Sequence, residues 1–291
     1  MPVRIVHSKQ NARLKELRRV LAHPPRGGSG QPAPLTGIEG PNLLQEAIRA
    51  GLKIETVFVA QGFEGLLAEI DLPDEIDVLQ LPKEMLDSAL TTETPQPVAA
   101  LVQPFDWIWR DLLEGGVVGT ETASPLILVL AGLQDPGNLG TILRSAEAFG
   151  ATGVVSLPGT VSPWNAKAVR ASAGSVFRVP LVESTADECF AQLHSAGLRI
   201  LTTSVRGAEP ATTEDLVGLI ALLIGSEGNG VPNELASRCD GAITIPTPGP
   251  VESLNAAVAA SVLLYEASRQ RAAQASPASD RNQRPSLKGA R

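Results

Sequence analysis

Three short segments gather glycines, amides and isolated charges: QDPGNLGTILRSAEAFG (134–150), IGSEGNGVP (224–232) and IPTPGPVESLNAAVAASVLLYE (245–266). In the first, Pro136, Gly137 and Asn138 suit a turn, because proline presets one backbone angle and glycine and asparagine tolerate positive φ. A helix follows with Leu139, Ile142, Leu143, Ala146 and Phe149 on its inner face. Arg144 has no part in that face. Among small neighbours its side chain can lean toward the N-terminal end of the helix, so the spacing predicts that Arg144 and Asn138 face one pocket. The alternative is an ordinary surface arginine and a turn-forming asparagine. In the second segment Glu227 stands inside a glycine loop, placed to accept hydrogen bonds from backbone or an arginine. The glycines there admit a flat ligand such as adenine, although a plain flexible turn would need the same glycines. In the third, Ser253 is a candidate N-cap for an alanine-rich helix, whereas Asn255, at its second position, has no comparable structural reason. None of the three is a P-loop or a GxGxxG fingerprint, so the ordinary nucleotide-phosphate and dinucleotide readings lose their best support.

Such loops need a sheet to present them, and in open α/β sheets ligands gather outside the carboxyl ends of strands. PLILVLAGL, just before the first segment, is too continuously apolar for an edge strand and predicts a buried parallel one. After it the pattern predicts helix 139–149, strand GVVSL, helix 163–172, strand FRVPLV, helix 187–196, strands RILTTS and LIALLIG, helix 232–238, strand AITIP and helix 253–271. This alternation implies an α/β layer fold with a mainly parallel sheet. Upstream, SKQNARLKELRRVLA (8–22) predicts an amphipathic helix capped by Ser8, with Leu14, Leu17, Val20 and Leu21 in one stripe. A Pro/Gly-rich break follows, then a smaller αβ module in which Pro41 opens a helix, Gly51 stops it and residues 54–60 are extended. The expected division is a small module over 1–104, a connecting segment over 105–124, the main domain over 125–272 and a disordered basic tail over 273–291.

With 43% hydrophobic residues the chain has material for a sizeable core. No apolar run reaches the roughly 18 to 20 residues of a membrane helix, and the N-terminus lacks a signal-peptide core, so a soluble cytoplasmic protein is expected. Cys189 and Cys239 lack CxxC spacing and predict reduced thiols. His7, His23 and His194 are scattered, forming neither a metal set nor a base for a serine nucleophile, and no metal is expected. The net charge of -7 argues at first against a nucleic-acid partner. Residues 1–30, however, hold seven Lys/Arg against one Glu, and residues 267–291 hold six against one Asp, leaving -18 for residues 31–266. Basic ends on an acidic body suit RNA; the alternative is a solvated helix face at one end and a disordered tail at the other.

Taken together the segments resemble the SpoU (TrmH-like) family of SPOUT methyltransferases, which methylate ribose 2′-hydroxyls of RNA with S-adenosylmethionine. The resemblance covers three motifs in order: Asn138-Leu-Gly-x-x-x-Arg144-x-Ala146, Gly225-Ser-Glu227-Gly-x-Gly230, and Ile245-Pro through Ser253-Leu254-Asn255. RLKELRRVL and GIEGPNLLQEA are similar to the family's N-terminal RNA-binding module. The resemblance implies a trefoil-knotted domain after that module, a homodimer whose two subunits build each active site, and structured RNA, foremost rRNA, as partner. It implies Gly225, Ile245 and Leu254 as contacts to the S-adenosylmethionine cofactor, and Asn138, Arg144, Glu227, Ser253 and Asn255 as the catalytic surroundings. The family proposal makes the arginine a base. Deprotonating an arginine at neutral pH costs on the order of 8 kcal/mol, so a charged Arg144 that fixes an RNA phosphate is the cheaper role. Alternatives are a tRNA 2′-O-methyltransferase, a non-catalytic RNA-binding relative, and an unrelated small-molecule α/β enzyme, which would leave the basic ends unexplained.

Overall fold

Strands and helices alternate along most of the chain, the exception being three consecutive strands over residues 199–225. The computed structural model describes residues 3–25, 34–73, 75–115, 124–204, 207–250 and 253–275. Its first part holds β1 (Val3–Ile5), α1 (Ala12–Ala22), β2 (Thr36–Glu39), α2 (Pro41–Arg49), β3 (Lys53–Ala60), β4 (Asp77–Leu81), α3 (Lys83–Asp87) and β5 (Val98–Gln103). These strands form a mixed sheet in the order β1-β4-β3-β5-β2. After α4 (Trp109–Leu113) come β6 (Leu126–Ala131), α5 (Pro136–Ala148), β7 (Gly153–Ser156), α6 (Ala166–Ser172), β8 (Leu181–Glu183), α7 (Ala186–Ser195), β9 (Arg199–Thr203), β10 (Glu209–Pro210), β11 (Ile220–Gly225), α8 (Asn233–Ala236), β12 (Gly241–Thr244) and α9 (Ala256–Ala275). The second sheet runs β10-β12-β9-β11-β6-β7-β8, and every pairing in it is parallel.

The continuous apolar runs follow from burial on both faces. In β6, Leu126, Leu128 and Leu130 enter one hydrophobic cluster, while Ile127, Val129 and Ala131 enter another. β11 divides the same way, Ile220, Leu222 and Ile224 against Ala221 and Leu223. The first cluster also takes in Ile38, Leu44 and Val57 of the small sheet. Buried contacts are therefore continuous between the two sheets.

Several boundaries differ from the sequence expectation, each for a local reason. Helix α1 begins at Ala12 and is capped by Asn11, whose Oδ1 accepts from Arg13 N–H (3.0 Å) and Leu14 N–H (3.1 Å). Ser8 instead accepts from Gln10 N–H, one turn earlier. The stretch FRVPLV does not start as a strand: Ser175–Phe177 is a 3-10 turn and β8 begins at Leu181. The connecting segment carries α4, whose Leu112 is fully buried against Gly153 of β7. Helix α9 runs to Ala275, three residues into the expected tail, and residues 276–291 lie outside the described ones. No helix among the described residues is long and apolar enough to cross a membrane. Cys189 is buried and Cys239 half-buried, both free, and burial raises their thiol pKa values to about 12 and about 11.

Candidate active site

Strand β9 pairs in parallel with both β11 and β12, so three carboxyl ends lie side by side. A pocket of about 350 Å³ opens there. Gly225, Glu227, Ile245, Ser253 and Leu254 all line it, and Ala256, Ala259 and Leu263 of α9 close one side. Thr203, Ser204 and Thr247 add hydroxyls. None of the three was expected from the sequence, although RILTTS ends a buried strand on hydroxyl residues that include Thr203 and Ser204, and Thr247 stands two residues past Ile245.

The glycines of IGSEGNGVP serve the loop's own closure. Ser226 N–H donates to the Gly230 carbonyl (3.1 Å) and Gly230 N–H to the Ser226 carbonyl (3.0 Å). Gly230 lies at φ +64°, in the left-handed region that favours glycine. A Cβ on Gly225 would overlap the backbone of Gly230 and Val231. Backbone packing is therefore a sufficient reason for glycine at 225, before any ligand is considered.

Asn255, Asn138 and Glu227 form a single hydrogen-bonded chain at the rim: Glu227 lines the pocket, while Asn138 and Asn255 stand just outside its lining, tied to it through Glu227 and through Leu254 and Ala256 on either side of Asn255. Asn255 is the N-cap of α9: its Oδ1 accepts from Ala257 N–H (2.9 Å) and Val258 N–H (3.3 Å). This corrects the expected cap, Ser253, which stands two residues earlier and lines the pocket. Because backbone N–H groups only donate, they fix which end of the Asn255 amide faces the helix. Its Nδ2 then donates to Asn138 Oδ1 (3.1 Å), and Asn138 Nδ2 donates to Glu227 Oε1 (2.8 Å). Each amide orientation dictates the next. Partial burial opposes charge on Glu227, but the bond from Asn138 and N–H groups of Glu227, Gln134 and Asp135 outweigh it and hold its pKa below the usual value. The first turn of α5 is held as firmly, with Asp135 Oδ1 accepting from Gly137 and Asn138 N–H at 2.5 and 3.1 Å. Bonds from the Asn138 and Gly137 backbone, with Lys167 at 3.4 Å, keep the pKa of the exposed Asp135 below its usual value.

Arg144 is not brought into the pocket. It lies six residues beyond Asn138, about one and two-thirds helical turns, so the two side chains leave α5 in different directions. Arg144 is exposed and has no hydrogen-bond or ion-pair partner among the described residues. Its neighbour Ser145 meets Ser261 of α9 at 2.7 Å, and Phe149 meets Tyr265 edge-on at 5.8 Å, so α9 packs alongside α5. Beside this contact α9 exposes an apolar stripe at Val258, Val262 and Tyr265.

Comparison with known proteins supplies the identity. Residues 125–265 match the SpoU rRNA Methylase family, and residues 38–107 match the domain described as RNA 2′-O ribose methyltransferase substrate binding. An uncharacterized tRNA/rRNA methyltransferase of Mycolicibacterium vanbaalenii is 33% identical over 80% of this chain and 76% of its own. The chain belongs to the SpoU methylase family. Another relative, the 23S rRNA (guanosine(2553)-2′-O)-methyltransferase of Bacillus subtilis, is 31% identical over 78% of this chain and 86% of its own. Among solved structures, the AdoMet-bound rRNA methyltransferase of Sinorhizobium meliloti superposes with a TM-score of 0.75 at 27% identity, covering 92% of this chain and 98% of its own. The SpoU methyltransferase AviRb of Streptomyces viridochromogenes, solved with AdoMet, gives 0.77 at 25% identity, over 90% and 99%. No group of three His, Cys, Asp or Glu side chains able to hold a metal occurs among the described residues of this SpoU protein.

Proposed function

We propose that this SpoU protein transfers a methyl group from S-adenosylmethionine to a ribose 2′-hydroxyl of ribosomal RNA in the cytoplasm. The observation that carries this reading is the Asn255–Asn138–Glu227 chain set on the rim of a pocket at three parallel strand ends. The pocket suits the cofactor: Ile245 and Leu254 offer apolar walls to a flat base, Thr203 and Ser253 offer hydroxyls, and Glu227 offers negative charge to a cation. When bound, S-adenosylmethionine supplies a methyl already activated by its sulfonium, so the protein's task is alignment and charge stabilisation.

Asn138 is held by both ends of its amide and orients Glu227. Because Arg144 stands apart from the pocket of its own chain, its exposed guanidinium acts at the partner subunit's pocket in a homodimer, where it offers planar, two-pronged donation to an RNA phosphate and stabilises negative charge developing on the 2′-oxygen. Homodimer formation belongs to the same reading, supported by the exposed Val258, Val262 and Tyr265 stripe beside the helix that carries Arg144. So does the trefoil knot, supported by β12 joining the sheet beyond β9 and by α9 returning to pack on α5.

The test is incubation of the purified protein with labelled S-adenosylmethionine and rRNA or tRNA transcripts, followed by mapping of alkali-resistant linkages. A methyl on a 2′-oxygen of rRNA is expected. Label confined to tRNA or to a base, or no transfer despite cofactor binding, would overturn the reading.

A further inference from the structure

Arg178 lies outside the pocket, in the turn between Ser175–Phe177 and β8. Its guanidinium is shared by two carboxylates from different parts of the chain. Nη1 donates to Glu46 Oε2 of α2 at 2.7 Å, while Nε and Nη2 donate to Glu147 Oε1 and Oε2 of α5 at 2.5 and 3.2 Å. All three side chains are half-buried, between 21% and 26% exposed, where two-pronged arginine–carboxylate bonds are strong. The turn that presents Arg178 is costly to form. Ala173 and Gly174 are both left-handed, at φ +49° and +91°, and alanine rarely adopts that conformation. A Cβ on Gly174 would stand 2.8 Å from Glu46 Cβ, so α2 is docked closely at this point.

Glu147 follows Arg144 by three residues on α5. Side chains at that spacing are surface neighbours, and opposite charges there attract. Arg144 nevertheless has no partner among the described residues, and both oxygens of Glu147 already accept from Arg178, whose charge offsets that of the carboxylate. We propose that Arg178 is a positioning residue that occupies Glu147 to keep Arg144 free for an RNA phosphate, while its remaining arm ties α2 of the small sheet to α5. The proposal rests on the reading of Arg144 given above.

The test uses the full chain as R178A, R178A/E147Q and E46Q, with single-turnover methylation, KM for rRNA and cofactor binding by calorimetry. R178A is expected to slow single turnover about tenfold with cofactor affinity unchanged. Neutralising the released carboxylate in R178A/E147Q is expected to recover most of that rate. A merely structural loss would not be mended by removing a second charge, so a double variant as slow as R178A, or an R178A as fast as wild type, overturns the proposal. E46Q is expected to raise KM for RNA several-fold, and an unchanged KM overturns the tie to α2. A crystal structure of R178A is read independently of activity: Arg144 is expected within 4 Å of Glu147, and an Arg144 still unpartnered refutes the exchange. If wild type transfers no methyl to RNA while R178A shows that pair, the functional reading fails and the ion-pair exchange stands.

Discussion

At the first turn of α5, Asp135 caps two backbone N–H groups and Asn138 is bonded on both sides of its amide. One and two-thirds turns later on the same helix, Arg144 reaches solvent with no partner among the described residues. The two places differ in what completes them. The rim is satisfied within the chain, so it holds its geometry before any ligand arrives, which is what alignment of a reacting methyl requires. Arg144 carries a full charge that the chain leaves unpaired, as suits a group whose anion comes from outside.

The largest effect is therefore expected at Arg144. R144A is expected to lose about 10²- to 10³-fold in single-turnover methylation with cofactor affinity unchanged by calorimetry. R144K is expected to keep a measurable fraction, because it restores charge but not the two-pronged geometry. A pH–rate profile of R144K shifted clearly downward, with good activity, would show instead that the residue acts as a base.

Breaking the rim should come next. N138A leaves Glu227 and Asn255 without their shared partner, and a loss of about 10²-fold in rate is expected. Equal activity would reduce the chain of amides to loop packing.

A third comparison separates the basic N-terminal part from the pocket. Arg4 pairs with Asp77, Arg13 with Glu16 and Glu55, and Arg18 with Ser88. Lys9, Lys15 and Arg19 remain exposed and unpartnered among the described residues. At the other end Arg269 pairs with Glu266, and Arg271 donates to backbone carbonyls including Leu216 and Gly218. K9E/K15E/R19E is expected to weaken RNA binding about tenfold or more at low salt and to flatten its salt dependence. Filter binding across a salt series measures this, and an unchanged slope would move the RNA contact elsewhere.

Asn255 allows a finer division. N255A removes both the cap and the donor to Asn138, and is expected to cost about 1 kcal/mol of stability in thermal or urea melts as well as rate. N255S is expected to keep the cap and stability yet lose rate. The smallest effect is the pH dependence of Glu227. Its folded pKa is depressed, so its stabilising contribution is present above the unfolded carboxylate range and is lost as pH falls through the lower folded value. E227Q is expected to flatten that acid limb, and an unaltered limb would assign it to other carboxylates.

Much of this was legible from residue order. The continuous apolar run PLILVLAGL predicted a buried parallel strand, and β6, like β11, divides residue by residue between two clusters. The glycine, asparagine and arginine spacings marked the three loops that meet at the strand ends. Local competition escaped that reading. Asn11 and Asn255 cap their helices where Ser8 and Ser253 were expected, because serine and asparagine are near-equal caps and the choice depends on where each helix starts against its neighbours.

By itself the sequence determined the layered α/β order, the mainly parallel sheet of the main domain and the places of its polar loops, since these follow from apolar period and from residue types at short range; the family followed from the resemblance of the three motifs. Only the tertiary structure decided that Asn138 bonds to residues 89 and 117 positions away, that Arg144 stands apart from the pocket, and that Arg178 joins Glu46 to Glu147 across 132 and 31 positions. Those outcomes depend on the direction in which each side chain leaves its element and on which carboxylate lies within reach once distant elements pack. Spacing along the chain carries no record of either.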